Sequence, residues 1–231
     1  MIDFSSRASG PEILDADDVG PEVFAAVMDD LAAVSRVMLA HGPTIGFLQR
    51  ATSGLPRGST IRILDVGCGE GDLLRRIRRW SKRRGLDAHL SGIDLNPRSA
   101  AAAHARTPAG MEIDYLTGDV FDYDQPADYV VSSLFTHHLT DAQVVRFLQW
   151  MEQHAKGGWF VNDLQRHVVA YHSFGLFARL MRWHWIVRKD GQMSVARGFV
   201  PAEWHALLRK AGVSATVRRT FLYRLCVEKL H

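Results

Sequence analysis

The segment Ile61-Arg62-Ile63-Leu64-Asp65-Val66-Gly67-Cys68-Gly69-Glu70-Gly71-Asp72 constrains the fold most. Its apolar residues over 61–66 read as a buried parallel strand, and Leu73, Leu74 and Ile77 begin a helical pattern directly after three glycines at alternate positions. Glycine serves where the chain takes positive φ or where a Cβ would keep a ligand off the backbone, and the following helix turns free N–H groups toward the same space. A dinucleotide turn runs G-x-G-x-x-G and seats a pyrophosphate on the helix N-terminus. Here the spacing is G-x-G-x-G, with Asp65 ahead of it and Asp72 behind it. Two carboxylates would repel a pyrophosphate and suit a ligand with a cationic amino-acid end.

Three more segments follow in order. His89-Leu90-Ser91-Gly92-Ile93-Asp94 is an apolar strand ending in an acid about 20 residues after the glycine turn, the spacing at which an acid meets ribose hydroxyls. Asn96 and Pro97 then read as the start of an Ala-rich helix. Leu116-Thr117-Gly118-Asp119-Val120 and the strand Ala127-Asp128-Tyr129-Val130-Val131-Ser132-Ser133-Leu134-Phe135 complete the series. Across residues 61–165 these segments resemble the class I S-adenosylmethionine-dependent methyltransferases, whose first motif has the form D-x-G-x-G-x-G. The resemblance implies an α/β fold, with a Rossmann-like seven-stranded sheet, helices on both faces and an antiparallel last strand pair. It implies S-adenosylmethionine as cofactor and S-adenosylhomocysteine as product. The cofactor site it implies comprises Asp65, Gly67, Cys68, Gly69 and Asp72 at the turn, Asp94 and Leu95 at the ribose, Asp119 and Val120 near the adenine, and Ser133 and Leu134 at the cofactor's edge.

At 231 residues and 47% hydrophobic content the chain suits one soluble α/β domain with a small cap. No apolar run reaches about 18 residues, and the N-terminus lacks the basic-then-apolar pattern of a signal, so a cytoplasmic protein is expected. Two cysteines, Cys68 and Cys226, offer neither a disulfide framework nor a cysteine-rich metal site. The net charge is +3, yet Arg75, Arg76, Arg78, Arg79, Lys82, Arg83 and Arg84 crowd one helix. They surround it except along the stripe of Leu73, Leu74 and Ile77, which reads as a solvated outer face rather than a groove-tracking patch. No nucleic-acid partner is expected: Ser132-Ser133-Leu134-Phe135 stands where base amino methylases carry Asn-Pro-Pro-aromatic.

Residues 1–10 read as loose. From Pro21, Val23, Phe24, Val27, Met28, Leu31 and Val34 recur at helical spacing, stopped by Gly42-Pro43, with a second helix over Ile45 to Thr52. This gives an N-terminal helical cap over 1–55 ahead of a methyltransferase domain over 56–231. The cap reads equally as a cover for the cofactor and as plain packing. After Asp163 the strand–helix alternation is interrupted by a helical insertion at about 166–198, with a helix over 166–182, then Trp183-His184-Trp185-Ile186 and a turn at Asp190-Gly191. It reads as a lid over a flat apolar acceptor or as a hairpin packed on the sheet. Pro201 to Ala211 reads as the next helix, and two closing strands follow.

Methyl transfer needs an aligned acceptor and a base for its proton. Thr136-His137-His138-Leu139-Thr140-Asp141 follows the fourth strand, and His137 stands where phenolic O-methyltransferases of similar fold carry a His. His137 and His138 are candidate bases, as is His167 in Val161-Asn162-Asp163-Leu164-Gln165-Arg166-His167 after the fifth strand. Asn162, Tyr171, His172 and Trp183 are candidate acceptor contacts, with capping of the inserted helix as the other reading of Asn162 and Asp163. A catechol-type magnesium enzyme would carry an acid after the fourth strand and Asp-Asn after the fifth; this chain has neither, and no metal ligand is assigned. Gly158 to Arg166 with Val187-Arg188-Lys189-Asp190-Gly191 looks like small methyltransferases associated with type III polyketide synthases and, more distantly, with quinone biosynthesis. That likeness implies a small hydroxylated aromatic or polyketide-type acceptor, such as a phenol, and O-methylation. The competing readings are an inactive cofactor-binding regulator and a nucleic-acid methylase.

Overall fold

The computed structural model describes residues 3–15 and 19–231. Seven strands form one sheet in the order β3-β2-β1-β4-β5-β7-β6, with β1 at Thr60–Val66, β2 at Asp87–Asp94, β3 at Ile113–Thr117, β4 at Ala127–Ser133, β5 at Ala155–Leu164, β6 at Thr216–Thr220 and β7 at Arg224–Leu230. The pairs among β1 to β5 are parallel, and β7 runs antiparallel to both β5 and β6. The Rossmann-like sheet with a reversed last pair is the expected one.

Side-chain alternation along the strands builds two cores. On β5, Trp159 and Val161 enter one cluster while Phe160 enters the other. On β1 the split is Leu64 and Val66 against Ile61 and Ile63. The first face is covered by α5 (Asp141–His154) and α8 (Pro201–Ala211) through Phe147, Leu148 and Trp204. The second is covered by α2 (Gly42–Ala51), α3 (Asp72–Arg84) and α4 (Pro97–Arg106) through Phe47, Leu74 and Ala103. Each large side chain buried this way contributes about 1.5–3 kcal/mol, so the two faces fix which side of every strand looks inward.

A third, smaller cluster lies beyond the sheet's carboxyl edge, where Val27 and Leu31 of α1 (Pro21–Val37) meet Ile186 and Val187 of α7 (Trp185–Arg197) and Ile13 and Leu14. Together with α6 (Val168–Leu180) these elements roof that edge. No helix among the described residues is long and apolar enough to cross a membrane.

Four local expectations are corrected. The Asp190-Gly191 pair lies inside α7 rather than in a turn. A Cβ on Gly191 would come within 2.2 Å of Phe174, and one on Gly175 within 2.5 Å of Gln192, so these glycines let α6 and α7 approach closely. Gly42-Pro43 opens α2 rather than stopping α1; proline suits a first helical turn, and α1 ends where Leu39 takes φ 50°. The basic face of α3 is not wholly solvated: Arg78 is buried and donates from Nη1 to the Ala88 carbonyl at 2.6 Å and from Nη2 to that of Glu112, while buried Arg75 donates to the Glu70 carbonyl. Nor is the N-terminus loose from residue 3 onward, since Arg7 donates to the carbonyls of His137, Leu139 and Arg197, and the Phe4 carbonyl accepts from Arg166. Met1 and Ile2 lie outside the described residues.

The N-terminal segment is also clamped by Asp190, whose Oδ1 accepts the Ile13 N–H at 2.8 Å and Oδ2 the Leu14 N–H at 2.9 Å. Asp190→Ala is expected to cost about 1–3 kcal/mol for the donors it strands and to open residues 3–15 to protease. Urea unfolding and limited proteolysis measure the two effects.

Candidate active site

The carboxyl ends of the parallel strands are brought level by their register, with Val66 opposite Ser132, Asp94 opposite Thr117 and Ser133 opposite Asn162. Above them opens a cavity of about 1430 Å³. Ligand pockets commonly hold about 300–1,000 Å³, so there is space for more than one drug-sized molecule. One end is the sheet edge, and the other is roofed by Phe24, Met28, Leu31, Phe174 and Phe177.

All eleven residues expected around a cofactor line this cavity. Gly67 takes φ 71°, and a Cβ there would come within 2.6 Å of the Phe135 ring; Gly69 takes φ 50° with open space where its Cβ would stand. Asp94 ties the turn down, accepting the Gly69 N–H on Oδ2 at 2.8 Å and the Asn96 N–H on Oδ1 at 2.9 Å. Asp119 accepts the Phe121 N–H at 3.0 Å, and Leu134 holds a left-handed φ of 57° while donating its N–H to the Asn162 carbonyl.

Asp65 is 1% exposed, and burial first, then the charge of Asp94, pushes its carboxyl well above the usual range. Burial opposes the charge of Asp72 as well, but the hydrogen bond to His41 at 2.8 Å and the charges of His41 and Arg75 hold that carboxyl below its usual range. Cys68 lies against Gly92, and burial pushes its thiol up, which makes it a packing residue rather than a nucleophile.

Beyond the turn, the 3-10 turn Thr136–His138 brings a charged cluster into the cavity. His137 is 2% exposed, and its Nδ1 lies 2.7 Å from Asp163 Oδ1. Asp163 also accepts the N–H groups of His137 at 2.9 Å and Leu164 at 2.7 Å, and the Thr136 hydroxyl. On the other side of the ring, Glu12 Oε1 stands 3.7 Å from His137 Nε2, an ion-pair contact rather than a hydrogen bond, and 3.9 Å from His138 Nε2. The Ser194 hydroxyl donates to the same oxygen at 2.7 Å. Burial would lower the imidazole pKa, but the charge of Asp163 and its hydrogen bond, with Glu12 behind them, lift His137 to about 9. Burial would likewise raise Asp163, and the charge of His137 with the surrounding donors holds it at about 2.

The donor atoms of Glu12, His137 and His138 lie within 4.8 Å of one another, a set able to hold a divalent cation. Arg197 Nη1 stands 3.9 Å from the same Glu12 oxygen, so positive charge already faces that carboxylate, and no metal is assigned.

The other expected site residues do not reach the cavity. His167 caps α6, its Nδ1 accepting the Val169 N–H at 3.1 Å while its ring stacks on Tyr223. Asn162 is fully buried and donates to the Ala40 carbonyl and to Ser133 Oγ. It and Asp163 therefore fasten strand ends rather than cap the helix. Tyr171 packs edge-on against Phe4, with His172 edge-on to Tyr171, and Trp183 packs on Phe177. The face of α6 turned inward carries Ala170, Ser173, Phe174 and Phe177 instead. Glu12, Ser194, Arg197 and Arg224 line the cavity without having been expected there. The first sits in a stretch with no periodic pattern, and the next two lie on the half of α7 hidden behind the misread turn.

Residues 63–158 match the family described as methyltransferase domain. A trans-aconitate 2-methyltransferase of Mycobacterium tuberculosis is 33% identical over 101 residues, 42% of this chain, and the match spans 34% of that relative's length. A ubiquinone biosynthesis O-methyltransferase of Paraburkholderia phytofirmans is 28% identical over 170 residues, covering 70% of this chain and 68% of the relative. Among solved structures, the plantazolicin methyltransferase BpumL in complex with SAH superposes with a TM-score of 0.67 at 17% identity, over 91% of this chain and 77% of the other. A SAM-dependent methyltransferase from Aquifex aeolicus does so with a TM-score of 0.63 at 17% identity, over 88% and 96%.

The two glycines of the turn differ in what a side chain would meet. Gly69→Ala adds only backbone strain, about 1 kcal/mol. Gly67→Ala adds displacement of Phe135 and is expected to cost about 2–4 kcal/mol. Urea unfolding of the two variants checks the order.

Proposed function

From a chain that carries a class I methyltransferase domain, we propose an enzyme that transfers the methyl group of S-adenosylmethionine to a hydroxyl of a small aromatic or polyketide-type acceptor. The observation that carries this reading is His137, buried between Asp163 and Glu12 in the cavity that the glycine turn also lines. The donor supplies a methyl group on a sulfonium, which leaves as a neutral thioether when the acceptor oxygen attacks.

The chain's residues fit that donor. The turn at Gly69 leaves open space where a Cβ would be, and Asp65 is a buried carboxyl without a compensating cation among the described residues, which the ammonium of an amino-acid tail would provide. Asp94 is the ribose acid and Asp119 the adenine-side acid, with Leu95, Val120, Ser133 and Leu134 packing the remaining edge.

His137 is the base. Asp163 takes the hydrogen on Nδ1, which fixes the tautomer and leaves Nε2 to face the cavity and accept the acceptor's proton. An imidazole lifted to about 9 is close to a phenol at about 10, so the transfer is nearly balanced. His138 and Glu12 border the same space, and Glu12 steadies the imidazolium once it forms.

Below its pKa the base carries a proton that must leave before the reaction. The rate, kcat/KM, is therefore expected to rise about tenfold per pH unit and level off near pH 9. Asp163→Asn moves that limb to lower pH and lowers the plateau. His137→Ala lowers turnover by about 100-fold or more with S-adenosylhomocysteine affinity intact. Normal turnover of His137→Ala on an accepted phenol, or a flat profile in the parent, would remove His137 from the role.

A further inference from the structure

Arg224 opens β7 and pairs with Leu164 on one side and Thr220 on the other. It is 4% exposed and lines the cavity beside Leu164 and Tyr223. Its Nε and Nη1 are buried with no hydrogen-bond partner among the described residues. Other buried arginines are committed: Arg166 donates to Glu203, Gly198 and Phe4, and Arg78 to two carbonyls. An unpaired guanidinium in such a place is costly, because burial strips its water without returning an acceptor.

Burial leaves the Arg224 guanidinium below its ordinary pKa, with the charge of Asp163 as the first compensating influence. Both oxygens of Asp163 are already taken, Oδ1 by His137 and the Leu164 N–H, Oδ2 by the His137 N–H and the Thr136 hydroxyl. Arg224 therefore borders the cavity while its Nε and Nη1 have no acceptor among the described residues.

The sheet order separates this end from the glycine turn. Because β7 runs against β5, its first residue lies at the carboxyl end of β5, on the same edge as the site. Two strand spacings, roughly 10 Å, separate it from the end of β4, where the His137 turn begins, and three, roughly 14 Å, from the glycine turn. The first is the span of a substituted ring.

We propose that Arg224 is the anchor for an anionic group of the acceptor, a carboxylate or an ionised ring oxygen, set about one ring away from the hydroxyl presented to His137. Naming the ligand as the acceptor rests on the methyltransferase reading; the anion site itself does not. A planar fork of N–H donors suits a carboxylate bound through both oxygens.

The test compares 4-hydroxybenzoate with its methyl ester, each titrated into protein carrying S-adenosylhomocysteine and into protein alone. Wild type is expected to bind the acid at least about tenfold more tightly than the ester. Arg224→Met abolishes that preference, leaves S-adenosylhomocysteine affinity unchanged, and melts at the same or a higher temperature, since it removes an unpaired buried charge. An arginine serving only the fold would melt lower when replaced. Equal affinity for acid and ester, binding of neither, or a preference that survives in Arg224→Met overturns the proposal. A loss of S-adenosylhomocysteine affinity in Arg224→Met overturns it too, by assigning the anion to the cofactor's own carboxylate. A wild type that binds the acid through Arg224 but no S-adenosylhomocysteine keeps the anion site and sinks the methyltransferase reading instead.

Discussion

Asp163 has no exposed surface, and a carboxylate stays charged there only because four donors converge on it: the ring and backbone N–H groups of His137, the Thr136 hydroxyl and the Leu164 N–H. That one buried charge sets the turn after β4, the tautomer of His137 and the electrostatic surroundings of Arg224. From it the charged end of the cavity extends as charges of alternating sign, with Arg224 on one side and His137, Glu12 and Arg197 on the other. Removing Asp163 or Glu12 leaves His137 uncompensated in low dielectric, which costs more than the pair itself contributes. The segment bearing Glu12 is fastened from a distance by Asp190 and Arg7, so the roof and the chemistry are held by the same bonds.

The cofactor end depends on geometry rather than on charge rows. The level strand ends set Gly67, Asp94 and Ser133 along one edge, and the positive-φ glycines turn the chain so that its backbone borders the cavity. Asp94 performs two tasks there, bracing the Gly69 amide and presenting its carboxylate to the cavity. Among the described residues Asp65 has no positive partner, the complement of an amino-acid ammonium.

These two ends were unequally legible in the sequence. Period-2 apolar runs, a fixed glycine spacing and acids at strand ends are local patterns, so the sheet and the cofactor edge could be read residue by residue. The charged end of the cavity is built from contacts between segments far apart in the chain. Glu12 meets His137 across 124 intervening positions of sequence, by a contact that no local pattern records. Asp190-Gly191 has the composition of a turn, but its carboxylate clamps another segment and its missing side chain admits Phe174, so tertiary packing overrode the local signal. On α6 the polar residues Tyr171 and His172 drew attention by their chemistry, whereas helix phase turns Ala170, Ser173 and Phe177 inward. Arg75 and Arg78 show the same limit: long charged side chains on an apparent outer face reached back to carbonyls.

The most direct measurement is calorimetric titration of S-adenosylhomocysteine into the protein in two buffers of different ionisation enthalpy. Burial and the charge of Asp94 raise the Asp65 carboxyl in the free protein, and an ammonium brought beside it acts the other way, so binding shifts protons toward the buffer. The account predicts tight binding with proton release, the release being absent in Asp65→Asn and the affinity lost in Asp94→Ala. Failure of the wild type to bind S-adenosylhomocysteine would contradict it.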